Sequence, residues 1–121
     1  MGSEMCIRDR FYGIQKGAIE ALNSPKNWFS DLNFIYSERR KLIWELATAL
    51  NCNFEINTSG MFVWAKLPDG TTSVSFVDKM LKEHNLFIAP GNIFGSNGEG
   101  YIRFSLCTPE EIIKEAIKRV I

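Results

Sequence analysis

Apolar positions along this chain follow two rhythms, a helical one and an alternating one. Gly13–Leu22 reads as a short helix, because Ile14, Ala18, Ala21 and Leu22 fall close to one face. Asn23-Ser24-Pro25 breaks it and starts another, with Ser24 suited to the N-cap and Pro25 to the first helical position. A long helix is then predicted from Pro25 to about Leu50. Trp28, Leu32, Ile35, Leu42, Leu46 and Ala49 recur at steps of four and three and form one seam. Arg39 falls on that seam where an apolar residue is expected, so it either snorkels or pairs. At 1.5 Å per residue this helix spans roughly 38 Å, which suits a bridge to something else.

Alternation follows. Phe54–Ile56 is a short strand candidate, and Asn57–Gly60 is a turn. Met61–Leu67 is the strongest strand, rich in β-formers and apolar on both faces until Lys66, so cover on both sides is expected. Pro68-Asp69-Gly70 is a turn. Thr72–Asn85 reads as a helix with Val74, Val77, Met80 and Leu81 on one side, and Leu86–Ala89 as a short strand. Pro90–Gly100 is a Gly-rich loop interrupted by Ile93-Phe94. Tyr101–Leu106 is a strand with Ile102, Phe104 and Leu106 facing the core and Tyr101, Arg103 and Ser105 facing away. Thr108-Pro109-Glu110-Glu111 starts a final helix, with Thr108 as N-cap and acids at the positive dipole end. That helix is expected to bury Ile112, Ile113, Ala116, Ile117 and Val120, with Lys114, Lys118 and Arg119 toward its C-terminal end. The order α, α, β, β, α, β, β, α predicts a small α+β domain with helices packed on a sheet of three or four strands.

Composition narrows the classes. A chain of 121 residues has room for one domain. With 45% apolar and 23% charged residues it is neither disordered nor collagen-like. No apolar run approaches the ~18 residues of a membrane span. The N-terminus lacks an apolar h-region, so no signal peptide is expected. Residues 1–10 have no clear period and join abruptly to Phe11-Tyr12-Gly13, so they read as a non-native leader. Lys+Arg and Asp+Glu balance at 14 each, which argues against nucleic acid as the main partner. Cys6, Cys52 and Cys107 are odd in number and form no C-x-x-C, which argues against a disulfide framework or zinc knuckle and for reduced cytosolic thiols. A single histidine, His84, removes His-pair metal motifs and leaves little room for Ser-His-Asp chemistry. Asn57-Thr58-Ser59 fits a glycosylation sequon, which without a secretory signal reads as accidental.

Three features could carry chemistry. The loop Pro90–Gly100 could cradle phosphate through backbone N–H groups or be a turn-rich connection, and it lacks the Gly-Lys-Ser/Thr of a P-loop. Arg103 lies mid-strand with polar neighbours, where a guanidinium could grip a carboxylate through two parallel hydrogen bonds or make a surface ion pair. The eight lysines sit on helix faces, helix ends or a strand end, as solvated charges do. Trp28, Trp44 and Trp64 read as packing, some of them against a surface this chain does not supply.

Gly60-Met61-Phe62-Val63-Trp64-Ala65-Lys66-Leu67-Pro68 is followed by Ile88-Ala89-Pro90-Gly91, by Phe94-Gly95 and by Gly98-Glu99-Gly100-Tyr101-Ile102-Arg103-Phe104-Ser105-Leu106. This succession resembles the C-terminal part of the class I/II aminotransferases, pyridoxal-phosphate enzymes of fold type I. Gly13–Asn23 and the long helix with Tyr36 and Arg39-Arg40 resemble the stretch before it, so the resemblance runs over about residues 11–121. It implies that residues 11–22 end a linker helix of the large domain and that residues 23–121 form the small domain. It implies that Arg103 grips the substrate α-carboxylate, that backbone at Gly60 passes close to substrate, and that Pro90-Gly91 and Phe94-Gly95 shape the site. Tyr101 and Ser105 are structural on this reading.

In the family, a lysine holds pyridoxal phosphate covalently, an aspartate pairs with the pyridine nitrogen, and an arginine with hydroxyls holds the phosphate, all in the large domain. No stretch here resembles the Ser-Lys motif followed by Gly-x-Arg-x-Gly. The resemblance therefore implies a substrate clamp without the cofactor's electron sink. It implies no catalytic residue here, inactivity of the chain alone, a missing large domain as partner, amino-acid and 2-oxo-acid substrates, and a cytoplasmic homodimeric parent. The alternative is a freestanding α+β module that binds amino acids through Arg103 without catalysis. Composition alone allows a structural domain with no ligand.

Overall fold

The computed structural model describes residues 11–121; the leader read over residues 1–10, with Cys6, lies outside them. The elements are α1 (Tyr12–Leu22), α2 (Lys26–Ala49), β1 (Asn53–Phe54), β2 (Phe62–Lys66), α3 (Ser73–His84), β3 (Ala89–Pro90), β4 (Tyr101–Ser105) and α4 (Glu110–Val120), with short 3-10 turns at Gly91–Phe94 and Ser96–Gly98. The expected order of helices and strands is the observed one. The chain divides into two compact units, one ending at Asn33 and one comprising Phe34–Ile121, with the division inside α2.

In the first unit, the described residues expose Phe11, Tyr12, Ile14, Ile19, Leu22, Trp28 and Phe29. Trp28 and Phe29 meet edge to face with centroids 4.9 Å apart. Helix α2 begins at Lys26, one residue later than expected, and the Trp28 N–H donates to the Pro25 carbonyl at 3.0 Å.

In the second unit, the sheet is antiparallel throughout, in the order β1-β2-β4-β3. Strands β2 and β4 pair over five residues, from Phe62 opposite Ser105 to Lys66 opposite Tyr101. Val63, Ala65, Ile102, Phe104 and Leu106 point inward and join Ile43, Leu46 and Ala47 of the long helix, Leu50 just past its end, Val77 and Met80 of α3, and Ile113, Ala116 and Ile117 of α4 in one core. Each large aliphatic or aromatic side chain buried there contributes roughly 1.5–3 kcal/mol.

Several expectations need correction. The buried stripe is Ile43, Leu46 and Ala47 of α2 with Leu50 just past its end, whereas Trp28 and Ile35 of the expected seam are exposed. Spacing of three, four and seven from Ile43 sets the face that meets the sheet. Strand β1 is Asn53–Phe54 rather than Phe54–Ile56. Strand β2 is not covered on both faces: the helices pack on its Val63 and Ala65 side, and Phe62 and Trp64 are each 41% exposed. Helix α3 buries Ser73, Val77 and Met80 and leaves Val74 and Leu81 exposed, because hydrogen-bonded Ser73 fixes which side turns inward. Its ends are as expected: Thr72 accepts from the Ser75 N–H at 3.3 Å, and Asn85 closes it at φ +53°. Strand β3 is Ala89–Pro90 rather than Leu86–Ala89, and its proline suits a sheet edge that needs no further N–H donor. The cap of α4 is Pro109 rather than Thr108; its carbonyl accepts from Ile112 and Ile113, and Ile112 faces solvent.

Candidate functional site

Alternation along β2 and β4 places Phe62, Trp64, Tyr101 and Arg103 on the sheet face that the helices leave open. Arg103 lies opposite Trp64 and, on its other side, opposite Ala89. Its long side chain reaches the diagonal neighbour, as cross-strand geometry permits. The guanidinium carbon is 4.1 Å from the Phe62 ring centroid and 4.1 Å from that of Phe94. Trp64 stacks on Tyr101 at 5.2 Å and 13° and meets Phe94 edge-on at 6.2 Å. Among the described residues, Arg103 has no carboxylate or hydrogen-bond partner, so its contacts are the two rings. A ring face occupies none of the five N–H donors of a guanidinium. Held by apolar faces and unpaired, the fork is free for bidentate capture of a carboxylate.

Gly60 enters β2 two residues before Phe62, at φ +93°, with open space where a Cβ would stand. Its carbonyl accepts a hydrogen bond from Arg40 Nη2. A cleft of about 300 Å³ lies in the same unit, with Ile43, Leu46, Phe87, Phe104 and Ile113 among its apolar lining and Arg103 as its charged residue.

The Gly-rich loop is a turn-rich connection, with its amides used internally. Gly95, Gly98 and Glu99 donate to Asn92, Gly95 and Ser96 carbonyls, and Gly100 donates to Ser73 Oγ at 2.9 Å. Ser73 Oγ in turn donates to the Tyr101 carbonyl at 2.9 Å, and the Glu99 carboxylate caps the Ser73 N–H at 2.9 Å. Gly91 and Gly98 press backbone on backbone: a Cβ on Gly91 would meet the Gly98 oxygen at 2.3 Å. Phe94, whose ring lies against Arg103, falls between these two glycines in the chain.

Arg39 pairs, resolving its place on the seam. It donates to Glu110 Oε1 at 3.3 Å and to the Leu106 carbonyl at 3.0 Å. The Glu110 carboxyl is held below its usual value by its own backbone N–H first, and also by Arg39 and Lys114. Burial pushes the Cys52 thiol up to about 11, so it stays protonated and unreactive. Cys52 and Cys107 are both free thiols. All eight lysines are exposed, so none has the desolvated setting of a nucleophilic amine. Among the described residues there is no cluster able to hold a metal ion, and no helix is long and apolar enough to cross a membrane.

Sequence reasoning singled out Arg103 and Gly60; Arg103 lies on this face, and Gly60 precedes β2 by two residues. It missed the pairing of Phe62 and Phe94 with Arg103, although the period of two already put Phe62 on the Arg103 side. It also missed Ser73, for which no local signal exists.

The family profile described as aminotransferase class I and II matches residues 4–120. The chain belongs to this family. It is 39% identical over 110 residues to the LL-diaminopimelate aminotransferase of Maridesulfovibrio salexigens, covering 91% of this chain and 28% of that protein. It is 34% identical over 111 residues to that of Aquifex aeolicus, covering 92% and 29%. Among solved structures it resembles the aromatic aminotransferase of Pyrococcus horikoshii, with a TM-score of 0.76, 33% identity and coverage of 88% and 29%. BacF of Bacillus subtilis matches with a TM-score of 0.76 and 32% identity, over 92% and 29%. The chain therefore spans under a third of the length of the aminotransferases it matches. Its small antiparallel sheet, helices and long leading helix are the small-domain fold of the fold type I aminotransferases.

Proposed function

We propose that this chain is the C-terminal small domain of a pyridoxal-phosphate-dependent aminotransferase and that Arg103 binds the substrate α-carboxylate. The parent enzyme moves an amino group between an amino acid and a 2-oxo acid, the cofactor supplying the electron sink. The observation that carries this reading is the Arg103 guanidinium, without a carboxylate or hydrogen-bond partner among the described residues and held on Phe62 and Phe94 at the open sheet face. Arg103 binds and orients the carboxylate in both half-reactions. Gly60 lets substrate approach the backbone, because no side chain stands there. Phe62 and Phe94 hold the guanidinium in place without taking up its N–H donors.

The chain's span of 28–29% of its relatives' length supports a cofactor held in a large domain outside it, and on this reading the chain alone is inactive. The exposed Trp28, Phe29, Phe34, Phe62 and Trp64 support a covering partner of that kind. The names of the sequence relatives favour diaminopimelate as the amino donor or product. The parent is read as a cytoplasmic homodimer.

The alternative is a freestanding amino-acid-binding module. Calorimetry on the 121-residue chain separates the two. The fragment reading expects no micromolar amino-acid affinity and no turnover with added cofactor. Micromolar binding by a monodisperse chain, lost in Arg103→Ala, would establish the module instead.

A further inference from the structure

Arg40 belongs to the helix stretch that resembles the family, and no role has yet fallen to it. Its Nη1 donates to the Thr58 carbonyl at 2.6 Å and to Thr58 Oγ1 at 3.2 Å, while its Nη2 donates to the Gly60 carbonyl. Among the described residues it has no carboxylate partner. The cation is thus spent on a three-residue turn. Charge-assisted bonds of this kind are roughly twice as strong as neutral ones.

That turn opens directly onto the candidate site. Gly60 is held at φ +93° two residues before Phe62. Met61 between them is fixed from both sides: its carbonyl accepts the Leu106 N–H at 2.9 Å, and its sulfur accepts the Tyr36 hydroxyl at 3.7 Å. Phe62 then carries the ring that lies 4.1 Å from the Arg103 guanidinium. The path from helix α2 to Arg103 is continuous and short.

We propose that Arg40 is a positioning residue that fixes the Gly60 turn and, through Phe62, holds the Arg103 guanidinium in place for carboxylate capture. This rests on Arg103 being the carboxylate clamp. It gives the Arg40 cation a task at the site without contact to substrate.

The test is an NMR titration of the 121-residue chain with sodium acetate, following the Arg103 Nε–Hε signal and the Phe62 ring resonances. In the unsubstituted chain, acetate shifts the Arg103 signal. In Arg40→Gln, Phe62 resonances move before acetate is added, and the acetate midpoint rises roughly fivefold, the scale of one hydrogen bond. Arg40→Lys, which keeps the charge and one donor direction, falls between the two and serves if Arg40→Gln fails to fold. Arg39→Gln, which breaks the Glu110 contact elsewhere on α2, lowers the melting temperature and leaves the midpoint unchanged. A midpoint and Phe62 spectrum unaltered in both Arg40 variants would overturn the proposal while leaving the clamp intact. An Arg103 signal unmoved by acetate in the unsubstituted chain would instead overturn the clamp, and the positioning role with it.

Discussion

The Arg103 guanidinium carbon lies 4.1 Å from the centroid of the Phe62 ring, a residue two positions away along the partner strand from its direct neighbour Trp64. The contact holds a cation without satisfying its donors. Phe62→Ala therefore frees the guanidinium without removing its charge. The expected loss is about two- to fivefold in acetate affinity, corresponding to roughly 0.5–1 kcal/mol for an exposed cation–π contact. The Arg103 Nε–Hε titration reads it, and an unchanged midpoint would count against the stacking role.

The two described thiols should differ sharply in reactivity. Cys107 is exposed, whereas Cys52 is buried with its thiol pushed up to about 11. Iodoacetamide at pH 8 is expected to label the Cys107 peptide in the native chain and the Cys52 peptide only in denaturant, as mapped by mass spectrometry. Equal labelling of both in the native chain would mean that the face of the core around Cys52 opens readily.

Glu110 gives a pH dependence with a definite sign. Its folded carboxyl is held below 4.5 by its own backbone N–H and by Arg39, so it stabilises the fold above that value. The stabilisation fades as pH falls through the lowered folded value. Thermal melts of Glu110→Gln should lie below those of the unsubstituted chain at pH 7 and converge with them under acid. A gap that stays constant from pH 7 to pH 2 would show that charge is not the cause.

The loop that carries Phe94 depends on close backbone packing. Gly91→Ala drives a Cβ to 2.3 Å from the Gly98 oxygen and 2.7 Å from the Tyr101 oxygen, and backbone has little room to yield. A loss of about 2–3 kcal/mol is expected. Ser73→Ala strands the Gly100 N–H and the Tyr101 carbonyl in a buried place, for about 1–3 kcal/mol. Urea unfolding measures both; wild-type midpoints would contradict the packing described.

Much of this was legible in the sequence because the signals were local. The alternation at Ile102, Phe104 and Leu106 placed Arg103 on the open face without any long-range information. Thr72 and Asn85 bracketed α3 because capping is decided within four residues. The failures come from tertiary choices. Which stripe of α2 turns inward depends on the sheet it meets, so Ile43 and Ala47 displaced the Trp28–Ile35 seam. The open side of β2 looked like core because Phe62 and Trp64 are apolar, and an uncovered face cannot be told from a buried one by composition. Ser73 was invisible because its partners, Gly100 and Tyr101, lie 27 and 28 residues away. Arg40 could be seen only as part of a motif, since its partners are carbonyls rather than a complementary charge.

The central claim is that Arg103 is the carboxylate grip of an aminotransferase of which this chain is one part. The direct measurement grafts residues 11–121 in place of the matching segment of the Maridesulfovibrio salexigens LL-diaminopimelate aminotransferase and compares kcat/KM with and without Arg103→Ala. If Arg103 is that grip, the graft is active and loses about 100-fold or more on losing the guanidinium, the scale of removing one partner of a desolvated charge pair. A graft in which Arg103→Ala turns over as fast as the unsubstituted one would contradict it.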